Sequence, residues 1–134
     1  MALAVSVVAL LGACGDDTDA VNPSPAESEP RDLSAEADGV VAGLCRARRQ
    51  ATTDAQEARA TFFDTTHDAL HTLARELGDV DRSAAADVLQ AKQRVESDFE
   101  SVDATLEADL TALVDATATG YAALGTTVVG CGDR

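Results

Sequence analysis

The sequence predicts an all-α protein, and three features of residues 33–134 favour that class. All three prolines of the chain precede Leu33, at positions 23, 25 and 30. Apolar residues then recur every three or four positions, which is the period of an amphipathic helix. Aromatic residues make up only 3% of the chain, and β-branched residues are too scattered for a sandwich or barrel. We therefore expect one small domain, built as an antiparallel helical hairpin or a three-helix bundle.

The first two predicted helices cover residues 34–50 and 54–77. The apolar face of the first helix consists of Ala37, Val40, Val41, Leu44 and Ala47. The apolar face of the second helix consists of Ala58, Phe62, Thr66, Ala69, Leu70, Leu73 and Leu77. Thr53 and Gln56 fit a capping box at the start of the second helix, and Gly78 fits a left-handed cap at its end. The pattern leaves open whether the first helix continues into the second or folds back at residues 51–53. Folding back would make a three-helix bundle.

The third predicted helix is unusually long, because no breaker occurs between Asp81 and Gly120. Its apolar face is formed by Val88, Val95, Phe99, Val102, Leu106, Leu110, Leu113, Thr117, Tyr121 and Leu124. Ser101 is the only plausible internal cap, and the apolar face passes through it, so we expect one helix of roughly 60 Å. A turn at residues 78–80 then makes a hairpin that places Phe62 near Phe99. The C-terminal residues 126–131 would lie along the bundle, with both valines covering apolar surface.

The N-terminal residues 1–13 are uncharged and predominantly apolar, ending in Gly12 and Ala13. A run of this length is too short for a membrane-spanning helix, which needs about 20 residues, but it fits the apolar region of an export signal. No basic residue precedes it, so either translation starts upstream of Met1 or the signal is unusual. Residues 14–32 are acidic and contain all three prolines, and we expect them to form a disordered tether.

The residues Leu11-Gly12-Ala13-Cys14 resemble the lipobox of bacterial lipoproteins, in which a branched residue and two small residues precede a cysteine. The resemblance covers about the first fourteen residues. It implies that Cys14 is diacylated on sulfur and becomes the mature N-terminus after cleavage. It also implies a lipid-anchored protein on the extracytoplasmic face of the bacterial cell membrane. No family is recognised for residues 33–134.

The two remaining cysteines, Cys45 and Cys131, lie near opposite ends of the predicted helical domain. They show neither a CxxC motif nor a cysteine–histidine spacing suited to zinc. Outside the cytoplasm, two such cysteines usually pair, and we expect a disulfide between them. The alternative is a pair of free buried thiols.

The one arrangement that could bind a metal is formed by His67, His71, Asp64 and Asp68. The two histidines are four residues apart on a predicted helix, so their side chains point the same way and could clamp a divalent transition metal. The two aspartates could supply oxygen ligands or orient the rings. The alternative is a pair of ordinary surface histidines, because the predicted apolar face places His67 at its boundary and His71 in water. No cofactor is otherwise expected.

The net charge and the missing motifs argue against two classes of function, nucleic-acid binding and enzyme catalysis. The formal charge is 10 − 24 = −14, which disfavours nucleic acid as a partner because phosphate binding needs a basic surface. No nucleophile elbow or glycine-rich phosphate loop occurs, so we expect no enzyme activity. The sequence favours a non-enzymatic binding module of the cell envelope with an unidentified envelope protein as partner. The alternative is a weak metal-binding lipoprotein that uses His67 and His71.

Overall fold

A computed structural model describes residues 31–101 and 105–133, and within these ranges the chain is helical, without strands. This confirms the predicted all-α class. The elements are α1 (Leu33–Ala51), α2 (Ala55–Thr65), α3 (His67–Val80), α4 (Arg82–Glu100), α5 (Leu106–Ala123) and a short 3-10 helix (Cys131–Asp133). The predicted signal segment 1–13, the lipobox with Cys14, and tether residues 14–30 lie outside the described residues.

The first helix, α1, has the predicted apolar face. Asp32 caps it, because Oδ1 accepts hydrogen bonds from the backbone N–H groups of Ser34 and Ala35, both at 3.1 Å. Every residue of the predicted face is at most 3% exposed. After Ala51 the chain folds back, and α1 packs against α2 and α5. Folding back buries this face between two neighbours, which a continuous helix could not do.

The cap of α2 lies one residue later than the predicted capping box. Asp54, not Thr53, is the N-cap, and its Oδ1 accepts from the N–H groups of Gln56 at 2.9 Å and Glu57 at 3.0 Å. Asp54 is extended, with φ −149°, so its carboxylate reaches both donors. A carboxylate also interacts favourably with the positive end of the helix dipole, which a hydroxyl does not.

The second predicted helix is divided at Thr66, so α2 and α3 form one kinked arm. Thr66 has φ −125°, outside the helical range. Its hydroxyl donates to the Phe62 carbonyl at 2.8 Å, and its backbone N–H donates to the same carbonyl at 3.1 Å. Such side-chain bonding to the preceding turn bends helices. Gly43 of α1 lies against the kink: a Cβ on Gly43 would stand 2.6 Å from Thr66 Cγ2. The close approach of α1 to the kink therefore requires glycine at position 43.

The predicted cap at Gly78 is wrong, because α3 continues through Gly78 to Val80. The single residue Asp81 then ends α3 and begins α4. It is extended, with φ −146°, and its Oδ1 accepts from the N–H groups of Ser83 and Ala84, both at 3.0 Å. An aspartate that serves as the N-cap of α4 makes a left-handed glycine unnecessary here.

Among the described residues, the glycine with positive φ is Gly125, at the end of α5. The N–H of Gly125 donates to the Ala122 carbonyl at 3.0 Å, and that of Thr126 donates to the Tyr121 carbonyl at 2.9 Å. These two bonds form a Schellman motif, which needs a left-handed residue at the Gly125 position. The motif turns the chain back toward α1.

The predicted 60 Å helix is also wrong, because the chain reverses between α4 and α5. Ser101 has φ −113° and ψ 139°, which are extended angles, and α5 begins at Leu106. The helices pack antiparallel, and Arg94 Nε donates to Asp109 Oδ1 at 3.2 Å. Reversal brings both halves of the predicted apolar face into one core, whereas a straight helix would leave its distal half in water. Val102 of that face lies outside the described residues.

The core joins all five helices, and the C-terminal segment closes one side of it. Its largest fully buried side chains are Tyr121, Phe62, Leu44, Leu70, Leu73, Leu77, Leu110 and Leu113. Val128 packs against this core as predicted, but Val129 is 47% exposed, so only one of the two valines covers apolar surface. In the described ranges, no helix has both the length and the apolar character needed to cross a bilayer.

Candidate functional site

A row of four side chains crosses the kink between α2 and α3: Arg59, Phe63, His67 and His71. They occur at every fourth position, so they lie one above the next on the same face. The Arg59 guanidinium carbon lies 4.9 Å from the centre of the Phe63 ring. The ring centres of Phe63 and His67 are 5.2 Å apart, and those of His67 and His71 are 4.8 Å apart. We call these four side chains the ring ladder.

The ring ladder is backed by an aromatic cluster. Phe62 is fully buried, and its ring centre lies 5.6 Å from that of Phe99 on α4, which confirms the predicted proximity. The Phe63 ring lies 5.1 Å from Phe62 and 6.3 Å from Phe99. All three phenylalanines of the chain therefore converge with both histidines at one place. Phe63 is 36% exposed, so this cluster reaches the surface.

Carboxylate oxygens lie near both ring nitrogens of His67. Nδ1 is 3.1 Å from Asp68 Oδ1, and Nε2 is 3.0 Å from Glu96 Oε1 on α4. Glu96 Oε1 also accepts a hydrogen bond from Lys92 Nζ at 2.7 Å. Lys92 is the single lysine of the chain, and its side chain is only 6% exposed. The contact with Glu96 therefore links the His67 ring on α3 to α4.

The structure brings together only part of the predicted metal-binding set. His67 and His71 share a face as predicted, and Asp68 contacts His67. Asp64 is exposed, and no hydrogen bond joins it to either histidine in the described part of the chain. Within residues 31–101 and 105–133, no group of three or more His, Cys, Asp and Glu side chains could hold a metal ion.

Sequence reasoning missed three contributors to this site: Arg59, Phe63 and Glu96. The repeat of Arg59, Phe63, His67 and His71 at intervals of four was a visible signal for the ring ladder. For Glu96 the sequence gives only a weak signal: it lies four residues after Lys92 on one helix, a spacing that predicts an ion pair between the two. Its contact with His67 depends on how α4 packs against α3.

The disulfide predicted between Cys45 and Cys131 is present. It links α1 to the C-terminal 3-10 helix, with the two Cα atoms 5.4 Å apart. Cys45 is 2% exposed, and Cys131 is half-buried. The bond therefore fixes the segment after Gly125 against α1.

A second polar cluster lies at the N-terminal end of α1. The Tyr121 hydroxyl donates to Glu36 Oε1 at 3.3 Å, and the Arg31 guanidinium bonds both Glu36 and Glu76. Burial raises the pKa of the Tyr121 hydroxyl, and the nearby Glu36 carboxylate raises it further. Tyr121 therefore keeps its proton and remains a donor. This cluster connects α1, α3 and α5.

Comparisons of the chain with protein-family models, with curated proteins and with solved structures find no match.

Proposed function

We propose that the protein is a lipid-anchored, extracytoplasmic helical lipoprotein that acts as a non-enzymatic binding module of the bacterial cell envelope. The lipobox resemblance at residues 11–14 supports anchoring through Cys14. The observation that carries the proposal is the Cys45–Cys131 disulfide, because such bonds persist in oxidising compartments and are rare in the cytosol. Two acyl chains bury enough hydrocarbon in the bilayer for stable attachment, whereas a single acyl chain binds a membrane only reversibly.

The ring ladder supports binding as the mode of action. Aromatic and arginine side chains are enriched where proteins bind one another. This chain has few aromatic residues, and three of its four lie in or behind the ring ladder. We propose an envelope protein as the partner, and the net charge of −14 disfavours nucleic acid.

Cys14→Ala is expected to release the protein from the membrane fraction almost completely, because no acyl chain can then be attached. Cell fractionation followed by immunoblotting measures this release, and mass spectrometry of the N-terminal peptide reports the lipid. Ser97→Ala is the control, since it changes an exposed residue far from the lipobox in sequence and should stay with the membrane. Equal membrane association of Cys14→Ala and the native chain would contradict the anchoring proposal.

A second candidate function is weak binding of a divalent transition metal by His67 and His71. The observation that favours it is the 4.8 Å separation of the two ring centres on one helix face. Asp68 contacts His67 and could orient it, and Asp64 remains the other predicted oxygen donor. Water or a second protein would complete the coordination.

The metal proposal predicts binding of one Zn²⁺, Cu²⁺ or Ni²⁺ ion per chain, lost in the His67→Ala/His71→Ala variant. Native mass spectrometry of the full chain measures the stoichiometry. Glu76→Gln is the control, because it removes a carboxylate at the other polar cluster. Absence of binding, or equal binding by the double variant, would rule this function out.

A further inference from the structure

We infer that the ring ladder is the docking surface for a basic segment of a partner protein, with an arginine side chain of the partner stacking on Phe63. This inference rests on the proposed binding function and names the chemistry of the partner. The partner's arginine would contact the exposed part of the aromatic cluster, at Phe63 between Arg59 and His67.

The first argument is that the Phe63 ring already holds a guanidinium group. Arg59 places its guanidinium carbon 4.9 Å from the ring centre, within the distance of a cation–π contact. Phe63 is nevertheless 36% exposed, so Arg59 does not cover it. An arginine side chain of a partner can displace the Arg59 guanidinium and stack on the same face of the Phe63 ring.

The second argument is charge complementarity. The chain carries a formal charge of −14, and the exposed carboxylates of Asp64 and Asp68 lie beside the ring ladder in sequence. This charge attracts a cationic segment and speeds its encounter with the surface. A second copy of the chain carries the same charge and is repelled, which disfavours self-association as the use of this surface.

The third argument is that the ring ladder already packs against buried side chains before a partner binds. Phe62 and Phe99 pack behind Phe63, and the His67 ring lies between Asp68 and Glu96. A surface that is already ordered loses little conformational entropy when a partner binds.

The test measures binding of a short amidated peptide of alternating arginine and glycine to the full chain by fluorescence anisotropy. We expect Phe63→Leu, which keeps an apolar side chain but removes the ring, to weaken binding at least about fivefold. Leu89→Ala on α4 is the control, because Leu89 is another exposed apolar residue, at 43%, and its loss should leave affinity unchanged. A lysine–glycine peptide should bind more weakly, since guanidinium stacks on rings better than ammonium.

A second pair of variants tests the same contact without using Phe63→Leu, so the result does not depend on whether that variant folds. Arg59→Gln vacates the Phe63 ring, and Arg46→Gln makes the same charge change on exposed α1 surface. We expect the arginine peptide to bind Arg59→Gln more tightly than Arg46→Gln. Equal affinities within this pair, or equal affinities of Phe63→Leu and the native chain, would overturn the assignment of the surface. Failure of the native chain to bind the peptide would overturn the partner chemistry, whereas membrane release of Cys14→Ala tests the anchoring proposal separately.

Discussion

Replacing Cys45 and Cys131 with alanine is expected to lower the free energy of unfolding by about 4 kcal/mol. The bond joins residues 86 apart in sequence, so it removes a large part of the conformational entropy of the unfolded chain. A small domain has a total stability of about 5–15 kcal/mol, so this loss is a large fraction of it. The segment after Gly125 should also detach from α1, because Cys131 is its covalent attachment.

Urea unfolding followed by circular dichroism measures this effect. The midpoint of the native chain should fall when a reductant is added, and that of the double variant should not change. Cys14→Ala is the control, because it removes the third cysteine and leaves the disulfide in place. A double variant as stable as the native chain would show that the bond contributes nothing to folding.

Phe62→Ala is expected to destabilise the protein by about 3–5 kcal/mol, the usual cost of removing a buried aromatic ring. Phe62 has no exposed surface and contacts Phe63 and Phe99, so its loss leaves a cavity between α2 and α4. Protein interiors are closely packed, so neighbouring side chains relax only partly into such a cavity.

Phe63→Ala is the matched control for this substitution. It removes the same side chain one position later, where 36% is exposed, and should cost much less stability. Thermal unfolding of both variants by circular dichroism compares the two losses directly. Equal destabilisation by the two substitutions would contradict the assignment of Phe62 to the core and Phe63 to the surface.

The candidate site illustrates which contacts local spacing predicts. His67 and His71 share a face because both lie in α3, four residues apart. Phe62 and Phe99 meet because hairpin counting from residues 78–80 is nearly correct, although α3 ends at Val80. Glu96 could not be placed against His67 in the same way, since that contact depends on the rotation of α4 about its own axis.

In the fold as well, local spacing predicts some features, whereas others depend on how the helices pack. The apolar face of α1 was predicted residue by residue, because its period is set by helix geometry alone. The capping of α4 was not, since Gly78 looks like the end of the preceding helix and only the structure shows that Asp81 is used.

The sequence by itself determined the all-α class and the apolar faces of the helices, and it favoured the pairing of Cys45 with Cys131 over two free thiols. These follow from periodicity, from the absence of proline after residue 30 and from cysteine number. Only the tertiary structure decided where the chain reverses. Ser101 is neither a proline nor a glycine, so the burial of apolar surface against neighbouring helices, and not a local helix breaker, decides that the chain reverses there.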